Sequence, residues 1–202
     1  MSYKPGERKL QILQTLAAML ETPAELKVTT AALAARLDCS EAALYRHFAS
    51  KAQMFEGLIE FIEGSLLGLI NQVTGEETDG LRQAELIVGL LLRFSGKNRG
   101  MTRVLLGDAL VHEHERLQAR INLLTDKLEA ALRQSLRIAQ TQGSLPAAAD
   151  VGSAANLLLC HVLGRWHGYA RSGFTRAPDA LWAQQWPALR AALAATAPTS
   201  PA

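Results

Sequence analysis

Residues 29–51 read TTAALAARLDCSEAALYRHFASK and decide the fold of the amino-terminal part of the chain. Thr29 and Thr30 are favoured helix N-cap residues, and Ser40 is another, so the stretch predicts two short helices. The break between these helices falls at Asp38 and Cys39. Two short helices joined by a tight turn are the layout of a helix-turn-helix motif.

Apolar residues of this stretch are spaced to hold the two helices against a preceding helix. The predicted packing residues are Leu33, Leu37, Leu44 and Phe48, with Ile12 and Leu16 from the preceding helix. The other positions of the second helix face outward or lie at its amino end, where a recognition helix meets base edges. They are Ser40, Glu41, Ala42, Ala43, Arg46 and His47.

The remainder of the chain also has helical periodicity. Hydrophobic residues make up 49% of the sequence and aromatic residues only 5%, so the core is built mainly from Leu and Ala, which favour helices. We predict an all-α fold of about nine helices without strands. The predicted division places the helix-turn-helix domain at 1–51, a second helical domain at 52–195, and a frayed tail at 196–202.

The sequence from Glu113 to about Gln142 predicts a long amphipathic helix, which Gly143 and Pro146 end. Its apolar positions alternate spacings of four and three residues, which is a coiled-coil-like pattern. They are Leu117, Ile121, Leu124, Leu128, Ala131, Ser135 and Ile138. Further along, Pro187 is predicted to kink the last helix.

Charge and cysteine content bound the class of protein. The net charge of +2 is too small to indicate nucleic-acid binding, so any DNA contact needs a local basic patch. That patch would contain Lys27, Arg36, Arg46, His47 and Lys51. Cys39 and Cys160 have no metal-type spacing, and no apolar run approaches the length of a membrane span, so we expect a cytoplasmic protein with reduced thiols.

The run Ala43-Leu44-Tyr45-Arg46-His47-Phe48-x-Ser50-Lys51, following Thr29-Thr30-x-x-Leu33-Ala34, resembles the signature of TetR-type regulators. The resemblance implies phosphate contacts from Thr29, Thr30, Tyr45, His47 and Lys51, and base contacts from Ala42, Ala43 and Arg46, with Ser40 and Glu41 completing the DNA-binding set. Donors at helix starts suit phosphate oxygens, and Arg suits guanine. The alternative is a capped hairpin without a ligand, in which Tyr45 and His47 are partly buried and Lys51 is a solvated charge.

Beyond this motif, the chain resembles a branch of the TetR-type proteins that acts in nucleoid occlusion. The matching segments include Met54–Glu63, Leu86–Val88, Thr102-Arg103, Leu117–Asn122 and Arg171–Phe174. This resemblance implies a homodimer, with the last two helices at the interface, that binds palindromic chromosomal sites and can form higher-order assemblies on DNA. It also implies that the DNA-bound protein inhibits the division protein FtsZ by binding its flexible carboxy-terminal tail, so the protein is expected at the nucleoid.

The implied partner groove lies between the helices that start near Phe55 and Leu81. Its predicted residues are Phe61, Leu69, Leu90, Arg93, Lys97 and Asn98. At 100° per residue, a core stripe contains Phe55, Leu58, Ile59, Ile62, Leu66, Leu69 and Ile70, and Phe61 lies about 120° from its centre. Leu90 is similarly displaced from its own stripe. Both could instead pack on the DNA-binding helices or a dimer partner. Leu69 stands where the family has a basic residue, and Arg93 where it has a glycine.

The main alternative function is a ligand-responsive TetR-type transcriptional repressor, which needs an enclosed pocket where a division inhibitor needs an open groove. His161 and His167 are interpreted as core or interface residues, or as the lining of such a pocket. An enzyme is not expected, because neither a nucleophile–base pair nor a glycine-rich phosphate loop is found. We predict no cofactor and no metal: His112 and His114 would point to different sides of a helix, and His112–Glu115 is interpreted as a solvated helix start.

Overall fold

The computed structural model describes residues 6–22, 28–111 and 113–196. Within these ranges the chain forms nine α-helices and no strand, so the all-α prediction is confirmed. The helices are α1 (Glu7–Met19), α2 (Thr30–Arg36), α3 (Glu41–Tyr45), α4 (Lys51–Glu76), α5 (Gly80–Lys97), α6 (Arg99–Leu106), α7 (Glu115–Thr141), α8 (Val151–Arg171) and α9 (Trp182–Ala194). A short 3-10 helix, Asp108–Leu110, follows α6.

The helices form two compact units. The first unit consists of Met1–Gly64 and Asn98–Leu123, and the second consists of Ser65–Lys97 and Leu124–Ala202. Helices α4 and α7 each contribute residues to both units. The functional division near Lys51 stays a prediction. Lys27 and the tail from residue 197, on which other predictions fall, lie outside the described residues.

Side-chain caps begin the helices at the predicted positions. The hydroxyl of Thr29 accepts from the backbone N–H of Ala32 at 3.1 Å, and that of Ser40 accepts from the N–H of Ala43 at 3.2 Å. Each cap satisfies one of the backbone donors that the first helical turn leaves unpaired. A similar cap from Ser50 precedes α4, with Gln53 accepting from the N–H of the residue before the cap. The N-cap predictions for Thr29 and Ser40 are confirmed, whereas Thr30 is the first residue of α2 and not its cap.

Helices α1, α2 and α3 share the core that the sequence predicts. The six packing residues of the helix-turn-helix (Ile12, Leu16, Leu33, Leu37, Leu44 and Phe48) are all buried. Helix α6 completes this unit from a distant part of the sequence. A Cβ atom on Gly100 would lie 1.9 Å from the backbone oxygen of Ala17, so α6 approaches α1 as closely as only glycine allows.

Arg103 on α6 fastens the end of α1. Its side chain is buried, and its guanidinium donates to the backbone oxygen of Leu20 at 3.0 Å and to the carboxylate of Asp108 at 3.0 Å. A buried charge is tolerated when it is paired and hydrogen-bonded, as this one is. The first unit therefore depends on contacts between α1 and α6.

The core of the second unit is built on the packing of α5 against α8. Trp166 of α8 is fully buried, and its indole N–H donates to the backbone oxygen of Leu91 on α5 at 3.1 Å. One turn further on, the hydroxyl of Tyr169 donates to the backbone oxygen of Gly96 at 3.2 Å. Two aromatic side chains of α8 are thus buried and also donate hydrogen bonds to the backbone of α5.

Helices α4 and α7 are amphipathic as predicted, but particular residues of the predicted core stripes are not buried. On α4, Leu69 was expected in the core stripe but is 41% exposed, because beyond Ser65 the helix belongs to the second unit, whose core takes Leu66 and Ile70. On α7, Ala131 and Ile138 are only half-buried. The other predicted positions are buried, and Leu132, Leu136 and Ala139 are buried with them, because a straight helix drifts away from a 3.5-residue repeat.

Candidate nucleic-acid interface

The starts of α2 and α3 meet at one surface of the first unit. The hydroxyl of Thr30 donates to the carboxylate of Glu41 at 2.5 Å, which joins the first residue of each helix. The exposed members of the predicted DNA-binding set are Thr29, Ser40, Glu41, Ala42, Tyr45 and Arg46. The half-buried members are Thr30, Ala43, His47 and Lys51. This surface is polar and carries donors at two capped helix starts.

Helix α3 is shorter than the segment Glu41–Phe48 that the sequence indicated. It ends at Tyr45, and the chain turns through Arg46 and His47, where the N–H of His47 bonds to the backbone oxygen of Leu44 at 2.9 Å. Leu44 is fully buried, whereas the Tyr45 ring is 45% exposed. The helix thus buries Leu44 in the core and exposes Tyr45, and the turn that follows it exposes Arg46.

Lys51 is not the simple solvated charge of the alternative interpretation. Its ammonium forms an ion pair with the carboxylate of Glu113, and the ammonium lies 5.6 Å from the centre of the Phe55 ring. Glu113 was predicted to lie in a solvated helix start, but its side chain is only 11% exposed. The sequence could not indicate this pair, because the two residues are 62 positions apart. His112, which completes that predicted segment, lies outside the described residues.

The predicted partner-binding residues divide between the units. In the first unit, Phe61 and Asn98 are half-buried. In the second unit, Leu90 is half-buried, and the exposed residues are Leu69, Arg93 and Lys97. Phe61 and Leu90 are therefore less buried than the neighbouring stripe residues Ile62 and Leu91, which are fully buried.

Other candidate chemistry is sparse in the described part of the chain. It contains no group of three or more His, Cys, Asp or Glu residues that could hold a metal ion. Across the same residues, no helix is both long and apolar enough to cross a bilayer. A groove of about 600 Å³ in the second unit is lined by Leu81, Gly143–Pro146, Trp186, Pro187, Arg190, Ala191 and Ala194. Pro187 lies inside α9.

The two histidines of α8 differ in environment. His161 is half-buried, and its ring centre lies 5.8 Å from that of Trp182. Burial, followed by the charge of Arg165, lowers the pKa of His161 below its ordinary value, so the ring is kept neutral. His167 is exposed. The two histidines therefore lie in different surroundings, one beside Trp182 and one at the surface.

Two family models match this chain. Residues 26–58 match the model for bacterial regulatory proteins of the tetR family. Residues 78–194 match the SlmA-like model, which is described as the tetracyclin repressor-like, C-terminal domain. Together with the capped helix-turn-helix, these matches define the class: the protein is a TetR-type helix-turn-helix regulator.

Full-length relatives place the chain more narrowly. It is 49% identical to the nucleoid occlusion factor SlmA of Alteromonas mediterranea over 94% of this chain and 97% of that protein. Identity to the protein of the same name from a Marinomonas species is 47%, over 94% of this chain and 96% of the relative. The chain belongs to the SlmA family.

Solved structures agree on the fold. The fatty acid degradation regulator FadR of Bacillus halodurans superposes with a TM-score of 0.82 at 15% identity, covering 95% of this chain and 98% of that chain. FadR of Bacillus subtilis, solved in complex with stearoyl-CoA, has a TM-score of 0.77 at 13% identity, covering 89% and 96%. At this level of identity the likeness concerns the fold alone.

Proposed function

We propose that this protein is a sequence-specific DNA-binding nucleoid occlusion factor. Bound at palindromic chromosomal sites, it inhibits assembly of the FtsZ ring and so prevents septation over the nucleoid. The observation that carries the proposal is the surface of the capped helix-turn-helix, on which Ser40, Tyr45 and Arg46 are exposed. The family relationship supports the same reading, since the relatives carry the name nucleoid occlusion factor.

The proposed DNA contacts are of two kinds: phosphate contacts that position the protein, and base contacts that read the sequence. Capped helix starts and the Lys51, Tyr45 and His47 side chains supply phosphate donors, which fix register without reading sequence. Exposed Arg46 can donate to guanine, and the methyl group of Ala42 can contact thymine. The exposure of Tyr45 favours this proposal over a hairpin without a ligand, in which the ring would be partly buried.

The proposed assembly is a two-fold dimer through α8 and α9. Both helices present small residues on their exposed sides, which permit close helix packing. These residues are Ser153, Cys160, Gly164 and Gly168 on α8, and Ala183, Ala188, Ala191 and Ala192 on α9. A two-fold dimer would place its recognition helices in successive major grooves, about one helical turn apart.

DNA binding is tested by selection of bound fragments from a pool of random duplexes. We expect enrichment of a palindromic sequence, with affinity that falls steeply with salt because phosphate contacts release counterions. Arg46→Ala is expected to lose about 1–3 kcal/mol of discrimination at one base pair of each half-site. Arg137→Ala, on an exposed arginine of α7 outside both the DNA-binding set and the predicted basic patch, is the control. Selection that enriches no sequence would refute the proposal.

Partner binding is tested by capture of the FtsZ carboxy-terminal tail peptide, with and without the selected duplex. We expect Phe61→Ala to abolish capture and to leave duplex affinity unchanged, because Phe61 lies outside the predicted DNA-binding set. The matched control is Leu123→Ala, which removes an apolar side chain that is 56% exposed on α7. Undiminished capture by the Phe61 variant would remove the groove hypothesis. A buried small molecule that releases the DNA would instead favour the ligand-responsive repressor.

A further inference from the structure

Lys51, a predicted phosphate ligand, is already engaged in an ion pair with Glu113 of the same protein. Lys51 is the first residue of α4, and Glu113 lies two residues before α7. The lysine side chain is 24% exposed and the glutamate side chain 11% exposed. Glu113 is therefore largely withdrawn from water, and its attraction for the ammonium is screened less than that of an ordinary surface pair.

We propose that Glu113 is an internal competitor for DNA phosphate at Lys51 and thereby lowers the affinity of the protein for every duplex. This inference rests on the proposed function, in which Lys51 is a phosphate ligand. For the ammonium to meet a phosphate fully, it must leave the carboxylate or share its donors with it. Leaving it would deprive a largely buried carboxylate of its partner charge, and sharing would bring that carboxylate close to the phosphate; both arrangements are unfavourable.

Glu113 itself is positioned by a backbone hydrogen bond. Its N–H bonds to the backbone oxygen of Leu110 at 2.9 Å, at the end of the 3-10 helix that follows α6. The carboxylate is thus presented from a different part of the chain. It is not a flexible neighbour on α4 that could move away with the lysine.

A second predicted phosphate ligand is engaged in the same way. The hydroxyl of Thr30 donates to the carboxylate of Glu41, so that donor too is occupied by an acid before DNA arrives. Carboxylates at these ligands weaken sequence-independent attraction, which phosphate contacts otherwise dominate. A protein of small net positive charge then relies more on base contacts to hold its sites.

The competition is measured by fluorescence anisotropy of labelled duplexes with the full-length protein. We expect Glu113→Gln to bind the selected duplex and an unrelated duplex about threefold to tenfold more tightly than the unchanged protein. The matched control is Glu115→Gln, which removes the same charge from an exposed position two residues away and should change affinity less than about twofold.

Lys51→Ala separates direct competition from a general charge effect. In that background, adding Glu113→Gln is expected to give no further gain, because there is no ammonium left to release. A gain that persists without Lys51, or unchanged or weaker binding by Glu113→Gln, would overturn the inference. If no sequence were enriched from the pool of random duplexes, only the proposed function would be refuted. The competition between Glu113 and phosphate can be measured on any duplex.

The ion pair itself is tested without DNA. Acylation of lysines in the free protein, followed by peptide mass spectrometry, is expected to modify Lys51 several-fold faster in Glu113→Gln than in the unchanged protein, with Lys97 as an internal exposed standard. Equal rates at Lys51 in the two proteins would contradict the pair.

Discussion

Gly100→Ala is expected to destabilise the first unit and to abolish specific DNA binding. The added methyl carbon would lie 1.9 Å from the backbone oxygen of Ala17, and a backbone oxygen cannot rotate aside as a side chain can. Overpacking typically costs about 1–3 kcal/mol, and this contact belongs at the upper end or above it. Thermal unfolding followed by circular dichroism should show a midpoint lower by roughly 6–12 °C.

The control for this substitution is Gly64→Ala. Gly64 lies in α4, and a Cβ atom there would meet nothing within 4 Å. Since alanine is the better helix former, we expect Gly64→Ala to raise stability by about 0.5–1 kcal/mol. If Gly100→Ala unfolded at the temperature of the unchanged protein and kept its DNA affinity, the close contact between α6 and α1 would be wrong.

Trp166→Ala is expected to destabilise the second unit. The indole is fully buried, and its removal takes away both apolar contacts and the hydrogen bond to the Leu91 backbone oxygen. Buried Trp→Ala substitutions cost about 3–5 kcal/mol, which lowers the unfolding midpoint by roughly 10 °C. The same circular dichroism measurement applies.

Trp166→Phe separates burial from hydrogen bonding. Phenylalanine keeps much of the apolar packing but removes the N–H donor, so we expect a loss of about 1–2 kcal/mol. Equal losses in the two variants would show that the hydrogen bond dominates. Unchanged unfolding of Trp166→Ala would contradict the packing of α8 on α5.

The helix caps and the buried side of α3 could be predicted from the sequence, because they depend on residues close together in the chain. Ser40 and Thr29 cap the helices that the sequence assigns to them, since a cap is a property of four adjacent residues. The buried side of α3 follows from periodicity in the same way, with Leu44 inward and Arg46 exposed. The fold class and the composition of the predicted DNA surface therefore came from short stretches of sequence.

Contacts between residues that are distant in sequence could not be predicted from those stretches. Nothing near Lys51 indicates Glu113, and nothing near Arg103 indicates the Leu20 backbone oxygen, because both pairings depend on tertiary packing. The exposure of Leu69 has a similar cause: periodicity gives a face of α4, but the core that covers this face changes along the helix.

The first unit is discontinuous in sequence, and this affects how the protein can be made. Its second piece, Asn98–Leu123, carries Gly100 and Arg103 and leaves the ribosome only after Ser65–Lys97 has been synthesised. Domains generally fold as units during translation, from the amino terminus onward. A nascent chain that has only just completed its helix-turn-helix therefore lacks the α6 contacts to α1, so the first unit cannot complete its core until its second piece has followed the Ser65–Lys97 segment of the second unit.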